Sequence, residues 1–264
     1  MVVRMQTQAL AQAILKKNMK DVRSALLQFD HPDAKVPQRK NRPASERPLM
    51  LAAEAGSLPI VRLLISKGSD ANALNQFRQP ALLYAIRANS PPIVTCLLKA
   101  GSDPNVKMHD GETLLAEAAR KGVGIRIAKQ LLAAGADPLQ ANRSGGTALH
   151  VAAFQNRLDV TKLLLRAGAN PNARDRHAHG PVSCAILREN WDLATFLIKN
   201  GADPQKQPEA LGVAASSGKS SIVRLLVYMG WDTCSKAHQN RTPLWHAQSR
   251  RHKVIVEFLQ STGT

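Results

Sequence analysis

"GADPLQANRSGGTALHVAA", residues 135–153, reads as a turn, a polar excursion and the start of an alanine-rich helix. Gly135 follows "LLAA" and supplies the left-handed residue that ends a helix. Asp137-Pro138 then turns the chain away from it. The same opening recurs as "GSDAN" at Gly68, "GSDPN" at Gly101, "GANPN" at Gly168, "GADPQ" at Gly201 and "GWDTC" at Gly230, at separations of 33, 34, 33, 33 and 29 residues. About 14 residues after most of these glycines a short helix begins, as in "ALLYAI" at 81–86 or "PVSCAI" at 181–186, and a second apolar helix such as "DVTKLLLRAG" follows. Helices this short are marginal alone in water. Stacking of neighbouring copies is what stabilises them.

This pattern resembles the ankyrin repeat, over residues 9–260. The resemblance implies an all-α solenoid of about eight helix-turn-helix pairs with hairpin fingers. Residues 1–30 are expected to form an N-terminal capping pair, 31–47 a long basic loop, 48–242 the central repeats and 243–264 a C-terminal cap. The first pair is expected at roughly 9–28. Two departures stand out. The connection before residue 48 is long and basic, and "ADPQKQPEA" after Gly201 is about four residues short, as if a finger were missing.

The chain has 264 residues, 44% of them hydrophobic, with 36 basic against 19 acidic side chains and a net charge of +17. That charge favours acidic proteins, nucleic acid or an anionic membrane surface as partners. Aromatic residues at 4% offer few platforms for stacked bases, which weighs against single-strand binding. Cys96, Cys184 and Cys234 are odd in number with no CxxC, as in a reducing compartment. No apolar run approaches a membrane span, so a cytoplasmic monomer without membrane insertion is expected, the nucleus or a host-cell cytosol being alternatives.

Several residues tempt a chemical reading. His177, His179 and Cys184 could suit zinc, but no fourth ligand is evident and no standard spacing is matched. His150 closes "TALH"; by the resemblance it is structural, tying its turn to a neighbouring loop. Cys96 occupies a position held by Leu63 and Leu163 and reads as a small core residue. Trp245 replaces the "TPLH" histidine and reads as a packing residue. "GVG" at 122–124 is a widened turn, and "PQRKNRP" at 37–43 a solvated loop rather than a nuclear-targeting patch. No nucleophile elbow, phosphate-binding loop or HExxH occurs, and the repeat aspartates are turn-formers. No enzyme, cofactor or metal is expected.

Binding is expected on the concave face that the resemblance implies, formed by the fingers and the outward side of each first helix. Counted from each glycine, offsets 14, 17 and 18 share one helix face, and 16 and 19 point the other way. The latter are Tyr84 and Arg87, Glu117 and Arg120, Val151 and Phe154, Cys184 and Leu187, then Val213 and Ser216. The face is polar at first and apolar from Val151 to Val213. Fingers add Phe77, Arg143, Arg176, His177 and His179. An apolar floor under a cationic rim suits an acidic, partly apolar protein segment. Two alternatives stay open: burial of Val151, Phe154 and Leu187 under neighbouring side chains, and a charge-driven binder of nucleic acid. An effector acting on a host protein is a variant of the interaction reading.

Overall fold

The computed structural model describes residues 2–27, 33, 35, 46–121, 124–236 and 241–262. Most of the expected basic loop, including "PQRKNRP", and Gly122 and Val123 of the "GVG" turn lie outside these residues.

The described residues form sixteen α-helices in eight antiparallel pairs, which divide into two compact units, Met1–Asp137 and Pro138–Thr264. The first unit holds α1 (Val2–Leu15), α2 (Met19–Leu27), α3 (Pro48–Glu54), α4 (Leu58–Ser66), α5 (Ala81–Arg87), α6 (Pro91–Lys99), α7 (Leu114–Arg120) and α8 (Gly124–Ala133). The second holds α9 (Ala148–Phe154), α10 (Leu158–Arg166), α11 (Pro181–Leu187), α12 (Trp191–Lys199), α13 (Glu209–Ser217), α14 (Ser220–Tyr228), α15 (Pro243–Ser249) and α16 (Lys253–Thr262). The first pair starts at Val2 rather than near residue 9, because "VVRMQTQ" continues the helix without a breaker.

Local chemistry sets these boundaries. Thr113 and Thr242 cap α7 and α15 through hydroxyls that accept from Ala116 N at 3.1 Å and Trp245 N at 3.2 Å. Proline opens α3, α6, α11 and α15, where a missing N–H costs nothing. Gly135, at φ 88°, closes the turn after α8. The expected core face is observed: offsets 14, 17 and 18 in four successive repeats, from Leu82, Ala85 and Ile86 to Val182, Ala185 and Ile186, are all buried.

Between pairs the chain makes fingers, three of them closed by a single antiparallel bridge: Leu74 with Pro80, Lys107 with Thr113, and Ala141 with Thr147. At three turns an asparagine at offset 4 links the turn to the next. Asn72, Asn105 and Asn172 donate from Nδ2 to the carbonyls of Gly101, Gly135 and Gly201 at 2.8–2.9 Å. Their Oδ1 atoms accept from the backbone N–H of Asp103, Asp137 and Asp203 at 2.7–2.8 Å. In the fourth repeat this position holds an exposed Leu139, which has no amide to offer. At the front of the series Asp33 accepts from Asp70 N at 2.8 Å.

Where the short connection follows Gly201, one 3-10 turn, Pro204–Lys206, replaces the finger. Fully buried Gln207 fills the vacated space, donating to Pro171 O at 2.9 Å, and its carbonyl accepts the Trp231 indole N–H at 2.8 Å. Two expectations need correction. Trp245 is 40% exposed, with the Arg241 guanidinium 3.8 Å from its ring centroid, so it lies at the surface rather than in the cap's interior. Cys96 is half-buried, as Leu63 is, because second helices pack through a narrower stripe than first helices do.

Candidate functional site

The face opposite the core differs between the units. In Met1–Asp137 it closes on itself. Tyr84, expected to be exposed, is 7% exposed. Its hydroxyl accepts from Asn75 Nδ2 at 3.1 Å and donates to Glu46 Oε1 at 3.3 Å, and burial beside Glu46 raises its pKa. Tyr84 therefore holds the base of its own finger, a buried task that a helical wheel does not register. Glu117, at the same offset, is also buried. It takes Arg87 Nε at 3.2 Å on one oxygen and Arg120 Nη1 at 2.6 Å on the other, and Arg120 also reaches Glu112 at 3.4 Å. Arg87 and Arg120 are exposed as expected, yet their charge is already shared with carboxylates. Phe77 stands exposed at its finger tip, where its carbonyl accepts from His109 N at 3.0 Å.

In Pro138–Thr264 the same offsets are apolar. Phe154 is 40% and Leu187 49% exposed, on the adjacent first helices α9 and α11. Val151 and Val213 are half-buried below them. Burial under neighbouring side chains thus applies to the valines and not to Phe154 or Leu187. One partner missed from the sequence is Arg188, whose guanidinium lies 4.8 Å from the Phe154 ring centroid. An arginine one residue beyond an exposed leucine was the available signal. Glu189 beside it is exposed, the nearest acid in the sequence to this cationic edge.

The rim residues separate by role. Arg143, Arg176 and His177 are exposed on two successive fingers, which are joined by Arg176 N donating to Ser144 O at 2.8 Å. His179 is half-buried, and its work is done by the backbone: its carbonyl accepts from His150 Nε2 at 3.2 Å. His150 Nδ1 accepts from Thr147 N at 3.1 Å, which leaves the proton on Nε2. Burial lowers the His150 pKa, the bond to His179 opposing it. The structural part expected of His150 is the one it plays.

Cys184 was expected on an exposed helical face. It is half-buried, and burial, with Asp175 and Glu209 near, pushes its thiol up to about 12. A protonated thiol is neither a nucleophile nor a ready metal ligand. Among the described residues no group of three or more His, Cys, Asp or Glu side chains is placed to hold a metal ion.

The paired short helices, asparagine-linked turns and fingers recur on a 33-residue period, and the family model for ankyrin repeats matches residues 10–108, 82–175 and 182–264. The chain belongs to the ankyrin-repeat family. Among solved structures, the ankyrin repeat domain of Bcl-3, described as a unique member of the IkappaB protein family, is similar at a TM-score of 0.68. It is 30% identical, over 80% of this chain and 98% of its own. No curated protein matches the sequence. The ankyrin repeat is a non-enzymatic interaction module, so this ankyrin-repeat protein is a protein–protein interaction scaffold. No helix among its described residues is long and apolar enough to cross a membrane.

Proposed function

We propose that this ankyrin-repeat protein is an adaptor or inhibitor whose binding surface is the first-helix and finger face of Pro138–Thr264, and that its partner is an acidic, partly apolar protein segment. The observation that carries the reading is the exposed pair Phe154 and Leu187 on adjacent first helices, with Arg188 stacked on Phe154 and with Arg143, Arg176 and His177 exposed on the fingers that precede those helices. Exposed apolar groups that align on neighbouring elements mark interaction sites. Aromatic and arginine side chains dominate the energetics of such sites. Phe154 with Arg188 offers both in one stacked unit, and the arginines suit carboxylates.

In this reading Phe77, Tyr84, Arg87 and Arg120 are secondary, since Tyr84 is buried and both arginines are committed to Glu117. Cys184, Val151 and Val213 shape the floor from below, and His179 fixes its finger. The pairs within 1–30 and 243–264 serve as caps, with 48–242 as the working repeats and 31–47 as a basic loop. The protein acts as a cytoplasmic monomer, consistent with its three free cysteines.

The test is affinity capture from lysate with the intact chain, with and without nuclease and at raised salt. A discrete protein that survives both treatments, and is lost with Phe154→Asp combined with Arg176→Glu, is the expected outcome. Retention of every partner by that double variant overturns the reading. Loss of all material to nuclease or salt assigns the function to the +17 charge instead.

A further inference from the structure

The finger at residues 174–180 carries Arg176 and His177 and is followed by a connection that has lost its finger. A finger without its neighbour would lose half its lateral support. Two side chains from the shortened connection occupy that side instead. Glu209 is 3% exposed, and its Oε1 accepts from Gly180 N at 3.1 Å and from Ser183 Oγ at 3.2 Å. Its Oε2 lies 3.4 Å from Arg174 Nη2. Gln207 Oε1 accepts from Val182 N at 3.3 Å, and its Nε2 donates to Pro171 O and to Asn172 Oδ1 at 3.1 Å.

Fit is as specific as bonding. A Cβ on residue 180 would lie 2.0 Å from Gln207 Oε1, so glycine at this place and glutamine at 207 accommodate each other. From the other side His150 holds the same finger through the His179 carbonyl. Both ends of the 174–180 segment, Arg174 and Gly180, are thus tied to one buried carboxylate. A buried carboxylate is costly to keep. Burial does raise the Glu209 pKa, while Arg174, the Gly180 N–H and the Ser183 hydroxyl oppose the shift.

We infer that Glu209 and Gln207 form a clamp that takes the place of the missing finger and positions Arg176 and His177 for the partner. Glu209 is a positioning residue that touches no partner itself. This use of the clamp rests on the docking reading above, whereas its effect on the finger does not. A preorganised finger spends less binding free energy on ordering.

Amide hydrogen exchange on the full chain tests the clamp without a partner. In Glu209→Ala the Gly180, His179 and Ala178 amides should exchange about tenfold faster, and the Gly146 and Asn142 amides of the preceding finger should stay within about twofold of wild type. Glu209→Gln keeps an acceptor for Gly180 and should restore most of that protection. Unchanged exchange at 178–180 in Glu209→Ala overturns the clamp, and so does equal acceleration in both fingers, which reports general loosening. The second arm uses a fluorescent synthetic peptide of alternating glutamate and leucine. Binding weakened about tenfold by Glu209→Ala and rescued by Glu209→Gln supports positioning. Equal binding by all three overturns it. A peptide that fails to bind wild type counts against the docking reading, and exchange alone then decides the clamp.

Discussion

At offsets 16 and 19 the unit Met1–Asp137 places Tyr84, Arg87, Glu117 and Arg120, and the unit Pro138–Thr264 places Val151, Phe154, Cys184 and Leu187. The repeat backbone is the same, and the chemistry is opposite. In the first unit a buried carboxylate collects two arginines, and a buried tyrosine ties its own finger, so the polar groups are satisfied within the unit. In the second, Phe154 and Leu187 stay exposed, with Arg188 stacked on Phe154, and the buried carboxylate, Glu209, bonds a finger instead. Among the described residues the cation–aromatic pairs lie in Pro138–Thr264: Arg188 on Phe154 at a first helix and Arg241 on Trp245 in the last pair, with Lys162 on Phe196, Lys219 on Trp191 and Arg224 on Phe258 at second helices. A face that satisfies itself has little to gain from a partner, and one that leaves rings and cations at the surface has more.

Binding should show the contrast most strongly. Phe154→Asp with Arg176→Glu is expected to weaken a purified partner about a hundredfold, as loss of a hot spot does. The matching double reversal in the first unit, Arg87→Glu with Arg120→Glu, should change affinity by less than about threefold, and titration calorimetry on both reads the ratio. Equal losses would mean that the partner spans both faces.

Stability should show the reverse. Glu117→Val gives the first unit the residue type that the second carries at Val151, takes the carboxylate from Arg87 and leaves Arg120 with Glu112 alone. The two arginine side chains are over 40% exposed, so water screens the loss, and a cost of about 1–2 kcal/mol in denaturant unfolding is expected.

Acidity should act on the second unit. The His150 pKa is lowered in the folded state, so folding disfavours its protonation. The stability it contributes is complete above the unfolded value of about 6.5 and falls as pH drops below that value toward the folded pKa. His246, lowered by burial and by Arg241 and Arg250, adds the same sign. The melting midpoint should therefore fall between about pH 7.5 and about pH 5.5, and His150→Gln should flatten that slope.

The smallest change expected is a gain. Leu139→Asn supplies the amide that Asn72, Asn105 and Asn172 supply elsewhere, and should raise stability by about 0.5–1 kcal/mol if the new side chain reaches Gly168 O and Asn170 N.

The fold was legible because the repeat writes one local rule many times: glycine ends a helix, and alanine-rich offsets 14, 17 and 18 face inward. The exposure of Phe154, Leu187 and Arg176, members of the proposed site, was legible for the same reason, since it follows from their offsets. The errors came where a side chain's length matters more than its direction. Tyr84 points outward and bends back to Asn75, and Trp245 holds the offset of the buried His150 yet lies against Arg241 at the surface. Glu209 was hidden by the very deletion that made it necessary, since the shortened connection removed the register by which its position would be compared.

The asparagine at offset 4 has a further meaning when the chain is pictured as a row of identical stitches. Each stitch joins one turn only to the next, so the fabric has no long thread that shares a load across it. At Leu139, Gln205 and Cys234 the asparagine side chain that makes the stitch is replaced by another. A stack stitched turn by turn is expected to open locally, one repeat at a time, rather than all at once.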